Sequence, residues 1–302
     1  LLQAYGDEIR FHLRSDNTQG AVTAFVDQTP PGSGPPPHFH TREEEWFFVL
    51  EGEAEFLNES EWTAVPAGTS VFMPRNSLHA FRNRGSGPLR QIVHTSPSGF
   101  ENFMSQSAHE FNHPGGPTPA RLLDIAARHN IYFPGLDPAC AELRGPQTLP
   151  GIILPLREAQ HRELFGERIS ILLDGVKTGG LFTSFLELTQ PGGGPPPHYL
   201  ARHDEWFYIL EGNLQFLCGE VWKTAGPGTA LYAPRGTVHT FRNTGNNPAK
   251  MLVHTAPSGI ETFFDAAHNA FAQPGGITPQ AAMKLASSHG VHFIQARPEP
   301  PL

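Results

Sequence analysis

Short runs of aromatic and β-branched residues, separated by turn residues, occupy most of the chain. In the first half they fall at 21–27, 45–50, 54–57, 70–73, 79–83 and 90–94, a pattern that predicts short antiparallel strands. Glu51-Gly52 reads as a hairpin tip and Pro66-Ala67-Gly68 as a further turn. With no helices alternating between them, so many short strands predict an antiparallel barrel or jelly roll. The period changes only after the last run. Thr118-Pro119 reads as a helix cap followed by a first-turn proline, Leu122, Ile125 and Ala126 share one helical face, and Asn130 supplies the stop.

Shifted by 160 residues, the sequence lies over itself without gaps, placing Gly32 on Gly192, His38 on His198, Trp62 on Trp222 and His79 on His239. Trp46 meets Trp206, and the register persists to Pro114 on Pro274 and His129 on His289. One domain is therefore repeated once, at a period far too long for a solenoid. A chain of 302 residues accommodates two such domains. The expected layout is a first domain at 1–133, a proline- and glycine-rich linker at 134–151 and a second domain at 152–302.

Charge and composition narrow the function. The formal charge of −8, from 29 acidic against 21 basic residues, comes without a basic block that could follow phosphates, so nucleic acid is not an expected partner. No apolar run reaches membrane-spanning length. Cys140 and Cys218 make neither a disulfide framework nor a metal cluster. Leu1-Leu2-Gln3 does not read as a secretory leader, and the expected location is cytoplasmic, with a processed N-terminus left open by the absence of an initial Met.

The chemistry sits in the strands. His38 and His40 alternate along a strand and so share a face. A bend at 41–44 can return Glu45 to the same space, and His79 arrives from a separate strand. Three neutral imidazoles and a carboxylate suit Fe(II), Mn(II) or Ni(II) first, and also Cu(II) or Zn(II). In the second copy His198, Glu205 and His239 repeat the pattern, but Leu200 stands where His40 does, leaving a reduced candidate site expected to bind metal more weakly. Phe47 and Phe81 follow Glu45 and His79 by two positions and should line the cavity, although Phe207 and Phe241 repeat them and favour plain barrel packing. His94, repeated as His254, is expected to be structural, and His129 and His289 lie near helix C-termini.

The full spacing runs from Gly32 through His38, His40 and Glu45 to Gly52, then from Gly68 through Pro74 and His79 to Asn83. It closely resembles the two-part cupin signature, departing only at Asn76, where that signature usually has glycine. The resemblance covers both repeats and implies an all-β fold of two tandem cupin barrels (jelly rolls, or double-stranded β-helices), each with short C-terminal helices. Pro35-Pro36-Pro37-His38 before the metal strand, and Ser96-Pro97-Ser98-Gly99-Phe100-Glu101 after the last strand, are similar to cupins grouped with quercetin 2,3-dioxygenases. That likeness implies a divalent metal held by His38, His40, Glu45 and His79, with Glu45 also acting as the base that takes a flavonol hydroxyl proton before reaction with O2. It implies a small-molecule substrate and O2 as partners, and admits a homodimer. Because the cupin fold hosts many chemistries, a non-redox isomerase or lyase acting on a sugar or keto acid, and a metal-binding bicupin without catalysis, stand beside the dioxygenase reading.

Overall fold

The computed structural model describes residues 1–164 and 166–294. The chain divides into two compact units, Leu1–Glu158 and Ala159–Leu302. In the first, a seven-stranded antiparallel sheet runs in the order Leu2–Ala4, Asp7–Leu13, Thr23–Thr29, Leu89–Ser96, Glu44–Glu51, Thr69–Met73 and Ile152–Pro155. A second layer consists of Glu61–Pro66, Glu53–Asn58 and His79–Asn83, together with the pair Phe39–His40 and Ile131–Tyr132. Phe47 of the large sheet meets Phe56 of the small one edge to face at 5.0 Å, so the core lies between the layers. The second unit repeats this with a six-stranded and a five-stranded sheet.

The six expected strands fall where the apolar runs placed them, within a few residues at each end; among the others, Asp7–Leu13 carries too much charge to stand out, with Asp7, Glu8 and Arg10 in seven residues. Glycine fixes one close approach. At Gly34 a side chain would meet the Phe81 carbonyl oxygen at 2.0 Å, and at Gly194 the Phe241 carbonyl at 2.0 Å. This lets the proline-rich segment before His38 lie directly on the strand that carries His79.

Residues 134–151 do not form a free linker, and residues 152–158 do not open the second domain. Arg144 donates to the Asn76 carbonyl at 2.6 Å and pairs with Glu59, while Ile152–Pro155 pairs with Thr69–Met73. The reason is physical: the backbone edge of Thr69–Met73 needs a partner, and the following chain supplies a strand that covers it.

In each unit two helices follow the strand Leu89–Ser96 or its counterpart Ala249–Ala256. In Pro119–Arg128 the Thr118 hydroxyl accepts from the Arg121 amide at 3.3 Å, and Asn130 takes φ 63° at the stop. The other helix, Phe100–Phe111, was not among the expected elements, although Phe100, Phe103, Met104 and Ala108 share one face. Its N-terminus is pinned by Glu101, whose carboxylate accepts from the Ser15 amide at 2.9 Å, the Gly99 amide at 3.0 Å and the hydroxyls of Ser15 and Thr23. Burial alone would raise this carboxyl, but the Ser15 and Thr23 hydroxyls and the backbone amides outweigh it and hold it down to about 2. Glu261 makes the same contacts with Gly175, Thr183 and Gly259. Glu101→Gln is expected to cost about 2 kcal/mol, because it removes charged acceptors from buried donors. The depressed value sets the sign: the stabilisation is complete above the ordinary 4.5 and is lost as pH falls towards about 2. Urea unfolding of both proteins across that range checks it; equal stability of wild type and variant at neutral pH would refute it.

Candidate metal centre

The backbone assembles the site before the side chains do. His38 and His79 exchange both amide-to-carbonyl hydrogen bonds, each 2.9 Å, so their rings emerge side by side with centroids 4.4 Å apart. His40 follows two residues along, on the same face, and Glu45 enters from the edge of Glu44–Glu51. One ligand atom from each of His38, His40, Glu45 and His79 lies within 4.8 Å of all the others, and all four residues are buried.

The ring orientations suit a shared cation. Nδ1 of His38 donates to the Pro36 carbonyl at 2.9 Å and Nδ1 of His79 to the Ser77 carbonyl at 3.0 Å, which turns both Nε2 atoms inward. Glu45 Oε2 lies 3.0 Å from His79 Nε2 and 3.7 Å from His40 Nε2. Neither nitrogen of the buried His40 has a hydrogen-bond partner, a costly arrangement for a polar ring unless a further group engages it. Burial, reinforced by the neighbouring His79 and His40, holds His38 well below the ordinary histidine value, keeping it neutral and ligand-ready. At His40 burial works downward too, but Glu45, Glu43 and Glu44 prevail and the ring sits above its ordinary value. Three inward imidazoles and a carboxylate fit a divalent transition metal.

Behind His40 stands Glu43, its Oε2 3.8 Å from Nδ1 and its Oε1 accepting from Arg42 at 2.6 Å. By sequence Glu43 is no more than a position outside the ligand motif, as is its counterpart His203, yet a signal for its role exists: in the second copy His40 and Glu43 change together, to Leu200 and His203.

In the second unit His198, Glu205 and His239 converge within the same 4.8 Å limit. His239 Nε2 lies 2.9 Å from Glu205 Oε2, and burial, helped by His239, pushes His198 down to about 3. His203 turns away, its Nδ1 donating to the Pro257 carbonyl at 2.7 Å. Leu200 is buried at the place of His40, its carbonyl accepting from Gly236 as that of His40 accepts from Asn76.

The two sites open onto different spaces. The first borders a cavity of about 370 Å³ that Phe47 and Phe81 line, together with Phe25, Phe100 and Phe133. The second borders one of about 70 Å³. Larger residues take up space in the second, with Leu164 for Ala4, Phe264 for Met104, and Glu167 and Glu187 for Asp7 and Asp27, although Ile260 and Val291 are smaller than Phe100 and Ile131. Phe100 stacks on His40 at 5.8 Å and Phe133 faces His38 at 5.3 Å. Neither was among the predicted pocket residues, because both follow the barrel strands in sequence. His94 packs edge-on against Trp46 and lies outside the ligand group, and His129 and His289 cap helix C-termini.

Residues 25–95 and 185–255 each match the cupin domain family. The chain is a bicupin of the cupin superfamily. It is 27% identical over 248 residues to a quercetin 2,3-dioxygenase of Bacillus subtilis, covering 77% of this bicupin and 72% of that protein. A shorter stretch of 82 residues is 42% identical to a germin-like protein of Oryza sativa, covering 26% of this chain and 38% of that one. Among solved structures, an oxalate decarboxylase of Bacillus subtilis aligns with a TM-score of 0.61 at 20% identity, over 85% of this chain and 74% of its own. The Lactobacillus farciminis oxalate decarboxylase does so with a TM-score of 0.61 at 16%, over 85% and 83%. At these identities the structural likeness establishes the bicupin fold. Among the described residues no helix is long and apolar enough to cross a membrane.

Proposed function

We propose that the first barrel is a metal-dependent dioxygenase site for a flavonol-like or other enol or diol aromatic substrate. The observation that carries this reading is that the complete set His38, His40, Glu45 and His79 borders the roomy, phenylalanine-rich cavity, whereas the reduced set borders the cramped one. The sequence similarity to a quercetin 2,3-dioxygenase over most of both chains supports it. An apolar lining favours a flat aromatic over a sugar or keto acid.

The residues divide the work. His38 and His79, locked by their carbonyl contacts, hold ring nitrogens ready for the metal, and His40 completes the face with Glu43 behind it. A divalent metal held there supplies Lewis acidity toward the substrate oxygen and redox chemistry toward O2. Glu45 takes the hydroxyl proton, leaving an electron-rich enolate. Phe47, Phe81 and Phe100 exclude water around the ring system.

The test is to strip the protein, restore Fe(II), Mn(II), Ni(II), Cu(II) and Zn(II) in turn, and follow oxygen with quercetin and simpler aromatic diols. Metal- and substrate-dependent oxygen uptake is expected. Turnover of a sugar or keto acid without oxygen would replace this reading with the isomerase or lyase one, and tight ligand retention with no turnover would favour a binding protein.

A further inference from the structure

The large sheet arranges the cavity in rows. Glu45, Thr95 and Thr23 lie opposite one another across three strands; Phe47, Val93 and Phe25 form the next inward row; Val49, Gln91 and Asp27 form the one after. Along the neighbouring strand Ile9 pairs with Asp27, which places Asp7 two residues on, across from Thr29, on the same face. The metal-ligand end and a carboxyl pair therefore bound the same cavity, with a phenylalanine row between them.

Buried carboxyls in an apolar cavity need partners. Asp27 is only 4% exposed; its Oδ2 accepts from Thr29 at 3.0 Å and from Gln91 at 3.2 Å, but its Oδ1 has no hydrogen-bond partner, and neither has Oδ1 of Asp7. Leaving such oxygens unmatched costs free energy, and both residues line the cavity. The second barrel differs at the same places. There Glu167 and Glu187 replace the aspartates, Met251 replaces the amide of Gln91, and Glu167 Oε1 is likewise without a hydrogen-bond partner. The longer acids border a cavity of only about 70 Å³, whereas the shorter pair in the first barrel leaves about 370 Å³ beside its unmatched oxygens, room for a ligand group to reach them.

From this arrangement we infer that Asp7 and Asp27 form a second polar contact for the substrate, binding a hydroxyl at the end of the aromatic ligand remote from the metal ligands. Resting on the dioxygenase reading, the inference names the substrate class more closely: an aromatic with an enol or diol at one end, an apolar middle lying across Phe25 and Phe47, and a hydroxyl at the other. Burial is the largest cause holding both carboxyls above their ordinary values, with Asp27 adding its charge at Asp7 and Glu45 adding its charge at Asp27. Two such acids sharing one site do not both ionise readily, so the pair can donate to a hydroxyl oxygen and accept its proton.

Calorimetric binding to the metal-loaded protein tests this with two matched pairs: the parent flavonol against quercetin, which adds remote ring hydroxyls, and phenylcatechol against its hydroxyphenyl analogue. Each pair keeps the metal-end group constant. The wild type should prefer the hydroxylated member by about tenfold, the usual scale for a hydrogen bond to a charged group. Asp27→Leu, and independently Asp7→Leu at a less buried position, should abolish that preference while leaving affinity for the unhydroxylated member within about twofold. Melting curves identify a variant that fails to fold, and the other then decides. A preference that survives in a folded variant, or no preference in the wild type with either pair, overturns the inference. Oxygen uptake with an unaltered preference in the variants would leave the dioxygenase reading standing alone. Discrimination confined to the catechol pair, without flavonol binding, would uphold the carboxyl contact and remove flavonols as substrates.

Discussion

Replacing Glu45 with glutamine is expected to leave metal in the first barrel and to lower oxygen uptake with flavonols by about a hundredfold to ten-thousandfold, the range typical of a lost general base. The amide still offers an oxygen to a metal but cannot accept a proton at neutral pH. Its geometry also favours retention, because His38 and His79 are held by backbone carbonyls and do not depend on Glu45 for their orientation. Glu205→Gln should change the rate far less, since its site lacks one imidazole and faces a cavity of about 70 Å³. Metal content and oxygen consumption measured on both variants separate the roles. A metal-loaded Glu45→Gln enzyme with undiminished turnover would remove Glu45 as the base, and a larger loss in the Glu205 variant would move the reaction to the second barrel.

What could be read from the residues alone followed from local periodicity. His38 and His40 are two apart on a strand, and the repeat distance puts every candidate ligand of one copy against its counterpart in the other, so the candidate set and the altered position at Leu200 are legible from residue spacing alone. Pairing across strands was a different matter. Asp7 and Asp27 are 20 positions apart and meet only because Ile9 lies opposite Asp27. Acids recur at both positions in the second copy, as Glu167 and Glu187. That recurrence inside strands was the available signal, and it becomes informative only once the inward face is known. Likewise, the proline- and glycine-rich composition of 134–151 suggests a connector, but it says nothing of contacts; the segment holds a short 3-10 helix, Pro138–Leu143, and Arg144 and the strand Ile152–Pro155 tie it to the first barrel.

Exchanging one residue between the barrels should exchange their affinities for metal. In the wild type a graded chelator is expected to empty the second barrel first, because a ligand is missing there and Leu200 offers the cation nothing. His40→Leu should lower the first barrel's affinity by more than about a hundredfold, since even an outer partner of a ligand is worth about 10- to 100-fold. Leu200→His places an imidazole of similar volume at the equivalent point, and the backbone there is already arranged as it is around His40. The gain should remain partial, because His203 stands where Glu43 backs the imidazole of His40. Adding His203→Glu should recover most of the rest. Metal-to-protein ratios after equilibration at each chelator concentration would show two steps in the wild type, drawn together in the Leu200→His and His203→Glu double variant. A single common step in the wild type would mean that a group other than these side chains completes the second site, and an unchanged pair of steps in the double variant would mean that the missing imidazole is not what sets the two barrels apart.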